Sequence, residues 1–343
     1  MAKKVMKTAD ATGMFQFSGE AEPLLHGGDV AAARRLFPGA PQPFIDLSTG
    51  INPTPYPVPP GLLSSETFHR LPDPAALARL EATARAAYDV PAGTFLTAVP
   101  GSEMAIHLLP GLAPPDARAF ILSPTYGGHT SAWRPATHVI EIDSIPDGAI
   151  AILANPNNPD GRILPSDALA AMARRVAWLI VDEAFAEVAP GASLVPALPE
   201  NTLVLRSIGK FYGLAGVRLG FAIGSAHDTA RIARALGDWP VSGPAIAAGT
   251  AALGDIAWRD SMRARLREQA AALRGLLVAH GLNIVGGTDL FVLVETDDAY
   301  ALHRALARHG IWTRAFAENP RWLRIGLPGV GFARLDEALR ALR

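Results

Sequence analysis

Three short segments carry side chains able to act together. In chain order they are Asn155-Pro156-Asn157-Asn158-Pro159-Asp160-Gly161, Val181-Asp182-Glu183-Ala184-Phe185, and Ser207-Ile208-Gly209-Lys210, with Arg218 eight residues beyond the lysine. Lys210 follows the apolar run Leu203-Val204-Leu205, which puts an amine near a strand end, where α/β sheets present active groups. A partly desolvated amine loses its proton readily, which suits Schiff-base chemistry. Asp182 follows Trp178-Leu179-Ile180-Val181 and should stand at the same kind of edge. There it either pairs with a protonated ring nitrogen or caps the next helix. The Ser207 hydroxyl and the Arg218 guanidinium are suited to a phosphate. Taken alone, Lys210 reads as an exposed loop lysine. The order and spacing of the three segments together describe a pocket for pyridoxal 5'-phosphate.

The elements that must position these groups emerge from the apolar pattern. Short apolar runs are expected to form strands at Phe95-Val99, Ala119-Leu122, Val139-Ile142, Ala149-Leu153, Trp178-Val181, Leu203-Arg206 and Leu219-Ile223. Several are apolar on successive residues, as in a mainly parallel sheet covered on both faces. Helices are expected over Ser102-Leu112, Ser166-Arg175 and Thr229-Leu236, with a long helical segment from about Ala245 to His280. Leu290-Val294, Tyr300-Arg308, Ile311-Arg314, Trp322-Ile325 and Leu335-Leu342 read as a smaller α+β unit. The Pro-rich stretch from Pro53 to Pro60 is expected to be extended and stiff. Gly101-Ser102-Glu103 opens a helix whose free N–H groups suit a phosphate. The Asn158 segment is in any case a turn.

Composition narrows the function. A chain of 343 residues exceeds one simple core, so two domains are expected. The net charge of -1 gives no electrostatic basis for binding nucleic acid or an anionic membrane surface. No apolar run approaches the length of a membrane span, and Lys7, Asp10 and Gln16 interrupt the N-terminal segment where a secretory signal needs an apolar core. There is no cysteine, which excludes disulfides and a thiolate nucleophile, and none of the nine histidines has the His-x-x-x-His spacing of a helical metal site. A cytoplasmic enzyme without metal is the expectation.

The three segments resemble fold type I, the aspartate aminotransferase-like class of pyridoxal-phosphate enzymes. The resemblance implies an α/β fold: a large cofactor domain with a mainly parallel sheet (residues 50–245) and a smaller α+β domain built from both chain ends (1–49 and 246–343). It implies that Lys210 carries the cofactor, Asp182 holds the pyridine nitrogen, and Asn158 reaches the ring hydroxyl. Tyr126 is implied to stack on the ring, and Gly101, Ser102, Glu103, Ser207 and Arg218 to hold the phosphate. Phe185 stands where many relatives have a tyrosine, and Asp160 where threonine is common. Arg324, in Trp322-Leu323-Arg324-Ile325, matches the arginine that grips a substrate carboxylate, with Arg314 as a second anion-binding candidate.

Within the class, His26-Gly27-Gly28-Asp29 and Asp46-Leu47-Ser48-Thr49-Gly50-Ile51-Asn52-Pro53 resemble segments of threonine-phosphate decarboxylases. That branch implies His26, Gly27, Gly28 and Asn52 as further substrate-binding residues and a small phosphorylated amino acid as substrate. It implies decarboxylation of L-threonine O-3-phosphate to (R)-1-amino-2-propanol O-2-phosphate for cobalamin biosynthesis, in a homodimer. The alternative is a histidinol-phosphate-type aminotransferase, which uses the same cofactor residues. Arg70-Leu71-Pro72-Asp73 resembles a segment whose tyrosine reaches the neighbouring subunit's phosphate, but here leucine holds that place.

Overall fold

In the computed structural model the described residues are 27–342. Strands Ile150–Ala154, Trp178–Asp182 and Thr202–Ser207 are buried at every residue, as their unbroken apolar runs require of strands covered on both faces. They form the middle of a seven-stranded sheet in the order Phe95–Val99, Gly220–Gly224, Thr202–Ser207, Trp178–Asp182, Ile150–Ala154, Ala119–Leu122, Thr137–Val139. Gly220–Gly224 runs antiparallel to both of its neighbours, and the other pairings are parallel.

That one reversal has a local cause. Residues 208–219 return the chain directly, with no crossover helix, and only antiparallel strands can be joined so simply. The same loop carries Lys210 and Arg218. Because Val99 and Ser207 both pair with Gly220, the end of the first strand, the end of the lysine strand and the start of the reversed strand meet at one sheet edge. Asp182 ends its strand on that edge too.

A second sheet of four antiparallel strands runs in the order Arg314–Ala315, Trp322–Gly326, Phe291–Glu295, Asn283–Thr288. Its Gly286 and Gly287 lie against the Asn155–Gly161 turn. The Gly287 N–H donates to the Asp160 carbonyl at 2.8 Å, and a Cβ on Gly161 would fall 2.1 Å from the Gly287 carbonyl oxygen. Glycine on both sides lets the two backbones touch, which ties this sheet to the site.

Several boundaries differ from expectation. The long helical segment is two helices, Gly243–Gly254 and Ile256–Ala279, because the Asp255 carboxylate accepts from Trp258 N and restarts the helix. Ile311-Arg314 is split: Ile311–Trp312 pairs in parallel with Ile45–Asp46, while Arg314–Ala315 joins the four-stranded sheet. The edge strand is Thr137–Val139 rather than Val139-Ile142, since the chain turns into a 3-10 helix at Ile142–Ser144. Strand Asn283–Thr288 has no counterpart among the expected strands; it has only two successive apolar side chains, Ile284 and Val285, and is an outer strand paired with Phe291–Glu295. Among the described residues no helix is long and apolar enough to cross a membrane.

Candidate active site

The sheet edge opens into a cleft of about 780 Å³ whose lining includes Tyr126, Asn158, Asp182, Ser207, Lys210 and Arg218. Gly101, Ser102 and Glu103 line it too, so nine sequence-predicted residues meet in one cavity. Phe185 is also part of the wall.

Lys210 sits in the loop after Thr202–Ser207, with its Nζ 5.8 Å from the centre of the Phe185 ring. Burial, then the Arg324 charge, pulls its amine down to about 8, with Asp182 opposing the shift. The loop is held from behind by the chain at Asn52–Tyr56. Asn52 N donates to the Lys210 carbonyl at 3.0 Å, Asn52 Nδ2 to the Phe211 carbonyl at 2.8 Å, and Tyr56 N to the Tyr212 carbonyl at 2.8 Å. The Asn52 Oδ1 accepts from Thr54 N. The side chain expected to touch substrate is therefore engaged with backbone, and it braces the lysine loop. Asn52→Ala leaves the Phe211 carbonyl buried without that donor, so a loss of about 1–3 kcal/mol of stability is expected. Denaturant titration checks it, and an unchanged midpoint would refute the brace.

Asp182 is buried at its strand end. Its Oδ1 accepts from Ala184 N at 3.0 Å, and its Oδ2 accepts from the His129 Nε2–H at 3.1 Å. The backbone bond is the local cap that the sequence allows as an alternative role, so the carboxylate both caps the turn and lines the cavity. His129 is a functional neighbour that sequence reasoning misses. It is fully buried in the short helix Gly127–Ala132, three residues after Tyr126, and a lone histidine gives no spacing signal. Burial, then the Glu103 carboxylate that it hydrogen-bonds, pushes the Tyr126 phenol above its usual value, so the phenol stays protonated.

One end of the cleft is built for an anion. Gly101, at φ 82°, starts the helix Ser102–Leu112, whose first N–H groups have no intrahelical partner. A Cβ on Gly101 would fall 2.7 Å from Arg218 Nη2, so only glycine lets the guanidinium approach this backbone. Arg218 is exposed, and the buried Ser207 hydroxyl lies in the same cleft. Donors, positive charge and a glycine cradle of this kind fit the phosphate of pyridoxal phosphate. The apolar walls and the inward carboxylate of Asp182 fit its protonated ring.

Arg324 is buried. Its two terminal nitrogens donate to Asn158 Oδ1 at 2.5 Å and to the Ser48 carbonyl at 2.7 Å. It therefore orients Asn158, whose Nδ2 is left for the cleft. Arg314 stands directly opposite Arg324 across the two strands. Burial, then Arg314, pulls Arg324 down to about 9, the direction taken by a cation held among neutral acceptors. Gly27 and Gly28 dock on the same Ser48. Gly28 N donates to the Ser48 hydroxyl at 2.8 Å, and a Cβ on Gly27 would fall 2.3 Å from the Ser48 carbonyl oxygen. His26 lies outside the described residues. The Asp160 carboxylate accepts from Asn157 Nδ2 and Arg162 N, closing the turn that aims Asn158.

Residues 136–342 match the family model for aminotransferase class I and II. The threonine-phosphate decarboxylase of Sinorhizobium sp is 39% identical over 331 residues, covering 92% of this chain and 98% of that protein. The threonine-phosphate decarboxylase of Pseudomonas aeruginosa is 38% identical over 330 residues, covering 92% and 97%. Among solved structures, histidinol-phosphate aminotransferase from Sinorhizobium meliloti in complex with pyridoxal-5'-phosphate is similar in fold. It has a TM-score of 0.76 at 21% identity and covers 92% of this chain and 95% of that one.

Proposed function

We propose, because the chain belongs to the aminotransferase class I and II family and is similar over nearly its whole length to threonine-phosphate decarboxylases, that it converts L-threonine O-3-phosphate to (R)-1-amino-2-propanol O-2-phosphate and carbon dioxide. The product serves the cobalamin side chain, as the sequence resemblance implies. The observation that carries the choice within the family is the 38–39% identity to threonine-phosphate decarboxylases over 92% of the chain. The cross-strand pair Arg314 and Arg324 suits a substrate bearing both a carboxylate and a phosphate.

When bound, pyridoxal phosphate supplies an electron-poor ring that accepts the electron pair of a bond broken at the substrate Cα. Ser207, Arg218 and the N–H groups just past Gly101 hold its phosphate. Asp182, steadied by His129, keeps the ring nitrogen protonated. Asn158 donates to the ring hydroxyl, alone because Phe185 has no phenol to offer. Tyr126 packs on the ring. Arg324 binds the carboxylate, and Arg314 with the Gly27-Gly28 segment holds the substrate phosphate. Two separated anchors fix rotation about the bond from nitrogen to Cα, and that rotation selects the bond that breaks. After carbon dioxide leaves, Lys210 Nζ delivers a proton to Cα.

The same reading makes the enzyme a cytoplasmic homodimer. Leu62 and Leu71 stand exposed at a groove of about 1130 Å³ beside the Gly243–Gly254 helix, an apolar surface suited to burial by a second copy. Product analysis tests the activity. Threonine phosphate is expected to yield carbon dioxide and the amino alcohol phosphate, while threonine itself turns over poorly because the remote phosphate supports orientation. Formation of a keto acid from histidinol phosphate, with no carbon dioxide from threonine phosphate, replaces this reading with transamination.

A further inference from the structure

Lys210 and Arg324 are linked by two aromatic rings. Lys210 Nζ lies 5.8 Å from the Phe185 ring centre, the Phe185 and Phe291 centres are 5.2 Å apart at an interplanar angle of 74°, and Arg324 Cζ lies 5.1 Å from the Phe291 ring centre. Both phenylalanines are buried. They come from different sheets: Phe185 lies just past the Asp182 strand end, and Phe291 opens the strand that pairs with the Arg324 strand. Gly50 fills the angle between them. A Cβ there would fall 2.9 Å from Phe185 Cε1 and 3.0 Å from Phe291 Cδ1, closer than carbon atoms pack. The backbone cannot readily back away, because Gly326 N donates to the Leu47 carbonyl and a Cβ on Gly326 would fall 2.4 Å from the Thr49 carbonyl oxygen.

We propose that Phe185, Phe291 and Gly50 form an incompressible, water-excluding spacer between the amine and the carboxylate anchor, and that this spacer biases the site toward loss of carbon dioxide over loss of the Cα proton. The inference rests on the decarboxylase reading above and names positioning residues for that reaction. Its geometry sets the distance and direction from Lys210 to Arg324. That fixed geometry favours one outcome. Breaking the bond from Cα to the carboxylate leaves the electron pair, and the negative charge with it, at Cα and releases carbon dioxide as a neutral molecule, so the charge moves away from Arg324. Breaking the C–H bond instead leaves the carboxylate in place on Arg324. With Lys210 and Arg324 held at a fixed separation by the two rings, the carboxylate is held in one orientation, and the bond so aligned is the one that breaks.

The test uses the holoenzyme in deuterated water with threonine phosphate, measuring carbon dioxide release and deuterium incorporation at Cα of recovered substrate. Cofactor affinity is measured separately by absorbance titration. In Gly50→Ala, displacement of the rings by a few tenths of an ångström is expected to raise the ratio of exchange to decarboxylation about tenfold, with cofactor affinity held. Phe291→Leu, which keeps bulk without the ring, is expected to move the ratio the same way and serves if Gly50→Ala fails to fold. A fall in both rates with an unchanged ratio in Phe291→Leu overturns the proposal, since that is what a purely structural role predicts. If the wild type releases no carbon dioxide at all, the decarboxylase reading falls, and the spacer proposal with it.

Discussion

Lys210→Ala is expected to bind pyridoxal phosphate through the remaining contacts and to lose threonine-phosphate turnover almost completely. Ser207, Arg218, Asp182 and Asn158 line the cleft independently of the lysine side chain, so the cradle persists without it. The missing amine removes the covalent anchor and the proton carrier together. Loss of acid–base function alone costs roughly 10²–10⁴-fold, and loss of the nucleophile adds to it. The wild-type amine gives this a pH signature. Burial and the Arg324 charge place it at about 8, so it is mostly protonated below that value and neutral above. Capture of pyridoxal phosphate by cofactor-free protein needs the neutral amine. Its rate should climb with pH up to about 8 and then level off, whereas an exposed lysine would keep climbing toward its ordinary range. Borohydride reduction and peptide mapping should place the label on Lys210 in the wild type and nowhere in the variant. Turnover within about tenfold of wild type in Lys210→Ala would falsify the assignment.

Asp182→Ala should keep the covalent cofactor and lose most turnover, because nothing then holds the ring nitrogen protonated. Stranding one member of a buried charged pair costs roughly 3–5 kcal/mol. Felt in the transition state, this corresponds to about two to four decades in rate. The geometry adds a graded companion. His129 Nε2 donates to Asp182 Oδ2 at 3.1 Å from a fully buried ring, while Ala184 N secures the other oxygen. His129→Ala therefore leaves Asp182 in place but less well held, and its turnover should fall between wild type and Asp182→Ala. Steady-state rates of the two single variants and the double variant read this out. If His129 acts only through Asp182, the double variant matches Asp182→Ala. Near-normal turnover in a folded Asp182→Ala protein would reduce Asp182 to the turn cap that its bond to Ala184 N also makes it.

Much of the chemistry is legible in the chain because it is local. Ser207, Lys210 and Arg218 lie on one short stretch between two strands, Asp182 is the last residue of its strand, and Asn158 lies in the turn just past another. An unbroken apolar run specifies a strand covered on both faces, and polar residues at its C-terminal end must emerge at the sheet edge. Sequence order alone thus places the reactive groups at one kind of location. The Asn158 turn, with its prolines and glycine, is equally self-contained.

Tertiary structure decides which groups meet across distance. His129 reaches Asp182 over 53 residues, Asn52 reaches Phe211 over 159, and Arg324 reaches Asn158 over 166. No periodicity encodes such pairs. They depend on strand order, on the register that sets Arg314 opposite Arg324, and on the glycine contacts that bring the two sheets together. Asn52 shows the consequence. Its segment is recognisable, but only packing decides that its amide is engaged with the lysine loop. The chain by itself determined the reactive groups and the strand ends that carry them. The brace, the histidine behind the aspartate and the aromatic spacer arose only in the fold, because close packing between remote segments is a property of the assembled interior and not of any window of sequence.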